Sequence, residues 1–446
     1  MRNKTNRQLS IFCQWSDHKY THELKQMDAL VDRHPEFNDW VYDDLRVRKD
    51  LRNTGVQGMS AEQVLRAGIL KQQNSWSYEY LALQTLDSGM TKSFVRLDFG
   101  ESYSASTLQE NIAKIRASTW QNISNALVLD AKELGIENGR TVRMDATVIE
   151  SNIHNPSDSS LLYDCLRVAT RIFKYFRKNA GGSYYPKASA KQAKAMMLAI
   201  MNAKNQDERK KHYKKLLRLA DALLKQLPFA LKRFEGFNEG GYFDRQLNEL
   251  KNVAELLPLI ISQTKRRVIK GETVASEDKV ISIFEPHSDV IVKGKRQTEF
   301  GHKVFFTSGA SGLITDCQLV QGNPNDGEYF IDLLENQVKL YGRAPRQTSA
   351  DGCFASWDNV EEAKDLGVSD VCFSKTCGLN ITDMVKSEWV FQKLRNFRAG
   401  IEGIISCLKR AFGLKRVTWR GVKGFASYVH SAVASYNLWV LARATL

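Results

Sequence analysis

The sequence predicts an α/β protein with an N-terminal helical domain and a large helical insertion after the first strand of its sheet. Two observations lead to this prediction. After residue 138, short runs rich in β-branched residues alternate with helical stretches, which is typical of layered α/β folds. Between about residues 158 and 267, helical periodicity alone interrupts this alternation. The 446 residues suffice for several structural units with an ample core.

Four regions divide the chain in this prediction. They are an N-terminal helical domain (1–138), a sheet-containing core in two pieces (139–157 and 268–415), a basic helical insertion (158–267) and a C-terminal helical segment (416–446). The first boundary falls at Gly139 because alternating β-branched residues begin just after it. The chain has no internal repeat and no low-complexity tract that would indicate a solenoid or a disordered region.

Three helices are predicted between residues 60 and 129. Ser60-Ala-Glu-Gln63 has the pattern of a capping box and opens the first helix. A break at 74–76 separates it from a second helix at 77–86. Ser106-Thr-Leu-Gln109 opens a third, long helix that continues towards Leu129. Two short helices, a turn and a third helix are compatible with a helix-turn-helix DNA reader, but any small helical bundle gives the same pattern.

Six strands follow from runs of β-branched and aromatic residues. They are predicted at 141–149, 280–284, 302–307, 312–320, 347–350 and 369–373. The residues Ser308-Gly-Ala-Ser-Gly312 form a hairpin turn, so the strands on either side of it pair antiparallel. Helices from Asp326 to about Leu340 and over 357–366 separate the later strands. The sheet is therefore expected to have an antiparallel front and a parallel back.

A long predicted helix near the C-terminus carries three charged residues on a single stripe. At 100° per residue, Arg398 lies about 40° and Lys409 about 20° from Glu402 around the helix axis. The apolar residues of this helix form a separate stripe that faces a core; they are Leu394, Phe397, Ile401, Ile404, Leu408 and Phe412. Such a helix can hold a carboxylate between two cations. The simpler interpretation is a surface pair of Arg398 with Glu402, worth about 0.3–0.5 kcal/mol.

Two aspartates in or after predicted strands are candidates to join Glu402. Asp145 lies inside a β-branched run, where aspartate is uncommon, although it could simply pair with Arg143. Asp351 ends a strand and could also be an ordinary turn residue before Gly352. Three further acids compete for the same role and cannot be dismissed from sequence; they are Glu150, Asp316 and Glu328.

Three carboxylates from distant parts of the chain are suited to binding divalent metal ions. Few oxygen ligands, with waters completing the shell, favour Mg²⁺ or Mn²⁺. Two such ions would stabilise the attacking and the leaving oxygen of an in-line phosphodiester displacement. Arg398 and Lys409 would then hold DNA phosphates beside the metal ions.

The charge distribution points to a polyanionic partner. The formal net charge is +14, and residues 164–235 hold 18 Lys and Arg against 5 Asp and Glu. Solvated helix faces usually carry mixed signs, so we favour contact with nucleic acid. The predicted contacts are Lys174, Arg177, Lys178, Lys210, Lys211, Lys214 and Lys215, together with Arg395, Arg398 and Lys409.

The remaining composition excludes several classes of protein. The seven cysteines are scattered without a CxxC pair, which indicates reduced thiols rather than a disulfide framework or a zinc site. No run approaches the roughly 20 apolar residues that a membrane span needs. We therefore expect a cytoplasmic protein with no membrane partner.

At this point the chain resembles a known family, the DDE transposases of bacterial insertion sequences in the IS-five-like and ISNCY groups. The C-terminal family signature Y-x2-R-x3-E-x6-K is present as Arg395-x2-Arg398-x3-Glu402-x6-Lys409, with arginine in place of tyrosine. Other motifs follow in family order: Arg143–His154, Glu285-Pro-His-Ser-Asp289, Lys293-Gly-Lys295, Phe300-Gly-His-Lys-Val304, Gly322-Asn-Pro324 and Ala350-Asp351-Gly352.

The resemblance implies an RNase H-like catalytic core in which the first and fourth strands lie side by side. Asp145 and Asp351 would then approach each other, and the final helix would supply Glu402 as the third metal ligand. It also implies a transposase that binds the terminal inverted repeats of its element, cleaves there and joins the 3′-hydroxyl to target DNA. Because two ends are cut together, a homodimer or larger synaptic complex on nucleoid DNA is expected.

Two alternatives remain open from the sequence. One is an RNase H-like, metal-dependent nuclease that uses the same acids without joining ends. The other is a transposase-derived DNA-binding protein that has lost catalysis. The presence of all three acids argues against such a loss.

Overall fold

The computed structural model describes residues 4, 17–46, 58–98, 100–179, 189–236, 241–293 and 297–446. The chain forms two units, one made of Met1–Asn152 with His302–Leu446 and the other of Ile153–Gly301. These borders differ from the predicted ones at 157/158 and 267/268, and the four-region division stays a prediction. Gly294 and Lys295 of the family motif, and Cys13, lie outside the described residues.

The helices and strands are numbered in chain order. Residues 1–152 contain α1 (Lys19–Asp32), α2 (Glu36–Leu45), α3 (Ala61–Gln73), α4 (Tyr78–Asp87), α5 (Gly89–Val95), α6 (Ala105–Ile112), α7 (Ala117–Glu133) and β1 (Thr141–Glu150). Residues 153–301 contain α8 (Asp158–Asn179), α9 (Ala190–Met201), α10 (Gln206–Glu235), α11 (Tyr242–Thr264), β2 (Asp289–Lys293) and the start of β3 (Gln297–Ser308). Residues 302–446 contain the rest of β3, β4 (Ile314–Val320), α12 (Phe330–Tyr341), β5 (Gln347–Ala350), α13 (Trp357–Asp365), β6 (Asp370–Phe373), α14 (Ile381–Met384), α15 (Glu388–Arg410) and α16 (Gly421–Ala444).

The predicted capping box at the start of α3 is confirmed. The Ser60 hydroxyl accepts the Gln63 N–H at 3.1 Å, and the Gln63 side chain accepts the Ser60 N–H at 2.9 Å. Helix α3 is buried along its whole length, and α4, capped by Ser77, contains no Lys or Arg. The α3–α4 pair therefore lacks the exposed cations with which DNA-reading helices usually hold phosphates. DNA reading by this region stays a prediction.

The third predicted helix is wrong in its start and in its length. Ser104, not Ser106, caps the helix, because the Ser104 hydroxyl accepts the Thr107 N–H at 3.2 Å. The helix that begins there is α6, and it ends at Ile112. The chain then leaves the helical conformation before α7 begins at Ala117.

Hydrogen bonds from distant parts of the first unit stabilise the non-helical backbone between α6 and α7. The Asp44 carboxylate in α2 accepts the backbone N–H of Arg116 at 2.8 Å and so caps α7 from outside. The Ser427 hydroxyl in α16 donates to the Ile115 carbonyl at 2.6 Å. Both partners are far away in the sequence, so local periodicity alone predicts one uninterrupted helix.

The sheet has the predicted antiparallel front and parallel back. Strand β1 pairs in parallel with β5, with Arg143 opposite Ser349, and β5 pairs in parallel with β6. Strand β3 pairs antiparallel with β4, and the strand order is β3-β1-β5-β6. The first strand and the strand before Asp351 are therefore direct neighbours.

Helices α15 and α16 hold the two sides of the first unit together. Helix α15 packs on β1, β5 and β6, and its apolar stripe is buried except for the half-buried Phe397. Helix α16 packs against α1, α3 and α7. Its Trp439 ring lies 5.9 Å from the ring of Phe412, and its indole N–H donates to Glu23. The C-terminal segment therefore belongs to the core of this unit.

The predicted strand at 280–284 is wrong. The backbone groups of Val280 are bonded to a side chain, because Gln263 accepts the Val280 N–H at 2.9 Å and donates to its carbonyl. The Ser282 hydroxyl accepts the N–H groups of Phe284 and Glu285. Ile281 and Ile283 are buried, so their alternation reflects packing in the second unit rather than strand pairing. The strand forms later, as β2.

The structure shows neither a membrane-spanning helix nor a disulfide among the described residues. Within that part of the chain, no helix combines the length and apolarity that crossing a bilayer requires. The six cysteines found there are all free.

A buried glutamate ties the β3–β4 turn to the segment before β1. Glu137 is 1% exposed, and one carboxylate oxygen accepts the N–H groups of Asn138 and Gly139, each at 3.0 Å. The other oxygen accepts the N–H of Ser311 at 2.9 Å and its hydroxyl at 2.5 Å. One side chain thus accepts four hydrogen bonds and holds the β3–β4 turn against the residues that precede β1.

Replacing Glu137 with alanine should lower the free energy of unfolding by about 3 kcal/mol, because buried N–H donors lose their acceptor. The Ser311→Ala variant loses the hydroxyl that donates to Glu137 and accepts the Leu313 N–H at 3.2 Å, but keeps the three N–H bonds to Glu137. It should lose only about 1 kcal/mol. Urea denaturation monitored by circular dichroism measures both values. Equal losses in the two variants would contradict this role of Glu137.

Candidate active site

Strand β1 presents its functional side chains on the face that is covered by α15. Val142 and Met144 point into the core on the opposite face, as the alternation of a strand requires. Arg143 donates to the Phe397 carbonyl at 3.0 Å, with its guanidinium 4.6 Å from the centre of the Phe397 ring. Arg143 therefore does not form the ion pair with Asp145 that the sequence left open as the simpler interpretation; Asp145 pairs with Arg398 instead.

A glycine lets α15 approach β1 this closely. A β-carbon on Gly400 would lie 2.0 Å from a guanidinium nitrogen of Arg143, which is far inside van der Waals contact. Any larger residue at this position would push Arg143 away from the helix. Gly400 therefore leaves room for the Arg143 guanidinium against α15.

Arg398 is the centre of the site, because its guanidinium contacts all three predicted acids. Nη1 donates to Glu402 Oε1 at 2.6 Å, and Nη2 donates to Asp145 Oδ2 at 2.9 Å. The same Nη2 lies 3.7 Å from Asp351 Oδ1. The Arg398 side chain is only 14% exposed, whereas that of Glu402 is 63% exposed. The three carboxylates thus share one cation at the edge of the sheet.

The Asp145 carboxylate is the most buried of the three. Desolvation raises its pKa to about 6, the nearby Arg398 and a hydrogen bond from the Ala146 N–H oppose the rise, and Asp351 and Glu402 add to it. The Ala146 bond measures 2.8 Å. An acid with such a pKa changes its charge close to neutral pH, which is typical of functional sites.

Asp351 is held in its ionised form by neighbours that the sequence analysis missed. Burial acts to raise its pKa, but hydrogen bonds from the Ser374 hydroxyl and the Gly352 N–H, with the charges of Arg398 and Lys375, outweigh burial and lower it. The Ser374 bond measures 2.6 Å. Ser374 and Lys375 directly follow β6, the parallel neighbour of β5. They therefore lie at the same edge of the sheet as Asp351, which directly follows β5.

The other predicted residues of α15 lie outside this cluster. Arg395 is exposed, and Lys409 is half-buried about 10 Å further along the helix axis than Glu402. Two of the competing acids have partners elsewhere, because Glu150 pairs with Arg416 at 2.8 Å and Asp316 accepts from an asparagine. Glu328, the third, is exposed in the turn before α12.

The predicted DNA contacts of the basic insertion form two separate groups. One group lies at the end of α8 (Lys174, Arg177, Lys178), and the other lies near the start of α10 (Lys210, Lys211, Lys214, Lys215). Phe176 in α8 stacks on Phe234 at the far end of α10, with ring centres 3.8 Å apart. The two groups are therefore separated by about 30 Å along α10. Lys210 is half-buried and the other six are exposed.

The chemistry of the three acids suits a hard divalent cation, but in this structure the Arg398 guanidinium occupies their oxygens. Carboxylate oxygens are the donors that Mg²⁺ and Mn²⁺ prefer. Among the described residues, however, no group of three or more acidic, histidine or cysteine side chains is placed to hold a metal ion. The guanidinium of Arg398 lies between these carboxylates.

Comparison with known proteins gives one finding that bears on this site. Residues 287–438 match the family model described as the transposase DDE domain. The matched range includes Asp351, Arg398 and Glu402, whereas Asp145 precedes it. The match over these residues supports a DDE transposase. Comparisons with curated proteins and with solved structures gave no match.

The raised pKa of Asp145 should make stability depend on pH in a predictable direction. The folded protein binds this proton more tightly than the unfolded chain, since the pKa is about 6 rather than 3.8. The stabilisation is therefore fully present below about pH 4 and is lost as the pH rises through about 6, by roughly 3 kcal/mol.

Urea denaturation of the wild type and of Asp145→Asn between about pH 4 and pH 7 tests this prediction. The stability of the wild type relative to the variant should fall as the pH rises. Asp351→Asn is the matched control, because the pKa of Asp351 is lowered from 3.8 and its contribution is lost only below about pH 4, so the difference between wild type and this variant should stay constant over the same range. A difference between wild type and Asp145→Asn that is independent of pH would contradict the prediction.

Proposed function

We propose that the protein is a DNA transposase that binds the terminal inverted repeats of an insertion sequence, cleaves at its ends and joins the 3′-hydroxyl to target DNA. The observation that carries this proposal is the convergence of Asp145, Asp351 and Glu402 on one cation, Arg398. The match to the transposase DDE domain supports the same function. The IS-five-like or ISNCY group, and a bacterial origin, are parts of the proposal.

The strand order supports an RNase H-like core. Strand β1 lies between β3 and β5, so the strand with Asp145 and the strand that ends before Asp351 are parallel neighbours. Helix α15 crosses these strands and brings Glu402 to the same edge. The second unit would then be an insertion between the first strand and the rest of the sheet.

Asp145, Asp351 and Glu402 would hold two Mg²⁺ or Mn²⁺ ions. When bound, the ions would stabilise the attacking and leaving oxygens of phosphodiester cleavage and joining. Ser374 keeps Asp351 ionised and oriented by its 2.6 Å hydrogen bond. Arg395 and Lys409 would hold phosphates on either side of the acids.

Double-stranded DNA, both element ends and target, is the proposed partner. The N-terminal helices would recognise the ends, and the basic helices of the second unit would grip the backbone with a steep salt dependence. Two ends must be cut in one assembly, so a homodimer or larger synaptic complex is proposed. Such a protein would act in the cytoplasm, on nucleoid DNA.

Cleavage of labelled DNA that carries the element ends, in the presence of Mg²⁺, tests the assignment of the acids. Each of Asp145→Asn, Asp351→Asn and Glu402→Gln should lower the cleavage rate by about 10³-fold while binding to the ends is retained. Glu150→Gln is the control, because Glu150 is an acid of β1 that pairs with Arg416 instead. Normal cleavage by any of the three variants would contradict its role.

A second assay separates the transposase from the two alternatives. Pre-cut ends with a free 3′-hydroxyl are incubated with a target plasmid, and joined products are counted. A nuclease alone would cleave the intact ends but give no joined product. A silent DNA-binding protein would retain the ends in a gel-shift assay and give neither cleavage nor joining.

A further inference from the structure

The guanidinium of Arg398 occupies the carboxylate oxygens that the proposed function assigns to metal ions. Two of its nitrogens reach Glu402 at 2.6 Å and Asp145 at 2.9 Å. Asp351 lies 3.7 Å from the second of these nitrogens. A cation that contacts all three acids leaves no group of carboxylates ready for a metal ion, as found for the described residues.

The three acids need a positive charge beside them even when no metal ion is bound. Asp145 and Asp351, which are 16% and 36% exposed, repel each other because water screens them only in part, and Glu402 adds a third negative charge beside them. The remaining guanidinium nitrogen of Arg398, Nε, is buried and makes no hydrogen bond with the described residues. Within that part of the chain, the three acids are thus the only groups that bond to the guanidinium. A doubly charged cation that binds the same oxygens could therefore displace it.

We propose that Arg398 is an internal counter-ion that competes with divalent cations for these carboxylates. Without metal ions, its guanidinium neutralises the acids and holds them together. When divalent cations bind, the side chain leaves the cluster and becomes free to pair with a DNA phosphate. This inference rests on the proposed function, because it takes Asp145, Asp351 and Glu402 as the metal ligands.

Calorimetric titration of the full-length protein with Mn²⁺, without DNA and at neutral pH, tests the competition. Arg398→Gln should bind Mn²⁺ about tenfold more tightly than the wild type, because no cation has to be displaced. Lys393→Gln is the matched control, since Lys393 is an exposed cation of α15 that lies over Trp389. Its affinity for Mn²⁺ should equal that of the wild type.

Thermal denaturation supplies a second measurement. Arg398→Gln should unfold at a lower temperature than the wild type without metal ions, and Mn²⁺ should raise its Tm more than that of the wild type. Arg398→Lys keeps the charge but cannot bridge three carboxylates, so its affinity should lie between the two.

The outcomes separate this inference from the proposed function. If Asp145→Asn abolishes Mn²⁺ binding but Arg398→Gln binds no more tightly than the wild type, the competition is wrong and the ligands stand. If Asp145→Asn leaves Mn²⁺ binding of the Arg398→Gln protein unchanged, the assignment of the ligands is itself wrong.

An independent observation concerns the second unit, which has a polar cavity of about 580 Å³. Its wall contains two acids that already have partners. Asp158 pairs with Arg267 at 2.9 Å, and Glu272 pairs with Arg266 at 3.1 Å. Arg209, on the same wall, makes no ion pair with any described residue. Lys279, also on the wall, makes none with them either. The cavity therefore has an excess of positive charge.

A tyrosine lines the same cavity. The Tyr213 residue is 2% exposed, and its hydroxyl makes no hydrogen bond with any described residue. This phenol is available to donate to an acceptor oxygen of a ligand. Two cations without ion-pair partners and one phenol donor suit a tetrahedral oxyanion.

We infer that this cavity binds a phosphate group. The group can come from the DNA backbone, from a free nucleotide or from inorganic phosphate, and the chemistry of recognition is the same. The site lies at the α10 end that carries Lys210 and Lys211, so it places a phosphate about 30 Å from the basic group at the end of α8.

Titration of the full-length protein with inorganic phosphate, thymidine monophosphate and a fluorescent DNA duplex separates the three sources. The double variant Arg209→Gln with Lys279→Gln should lose about tenfold in affinity for the probe that binds, and Tyr213→Phe a smaller factor. Lys225→Gln is the control for all three probes, because Lys225 is an exposed cation of α10 that does not line the cavity. Equal affinity of the double variant and the wild type for all three probes would overturn the inference.

Discussion

The site depends on one electrostatic constraint, namely that three carboxylates lie close together and share a single cation. Asp145, Asp351 and Glu402 come from a strand, a strand end and a helix, and Arg398 bridges them. Like charges in a poorly screened place would otherwise push these elements apart. The sheet order, the close approach of α15 and the bond of Ser374 to Asp351 all serve to hold this arrangement.

The elements that bear the three acids could be predicted because each depends on local patterns. The β-branched alternation around Asp145 defines β1 without knowledge of its partners. The apolar stripe and the charged stripe of α15 follow from helical geometry alone, and its burial agrees with the prediction. The capping box at Ser60 is equally local, since both of its bonds join residues that are three apart.

The parts that sequence could not predict depend on distant partners. The break between α6 and α7 exists because Asp44 and Ser427 bond to the backbone there. Gln263 removes Val280 from strand pairing in the same way. Arg398 was expected to face DNA phosphates, but its position among the acids depends on how α15 lies on the sheet. The basic residues of the insertion are uniform in sequence, yet the fold separates them into two groups.

The parallel pairing of β1 with β5 also has a consequence for the order of assembly on the ribosome. Thr141 lies opposite Gln347, so 206 positions of chain must be synthesised before the first strand meets this partner. The helices of the second unit make mostly neighbouring contacts and can form much earlier. Because Glu402 follows later still, the acids come together only after the second unit and all strands of the sheet have been synthesised.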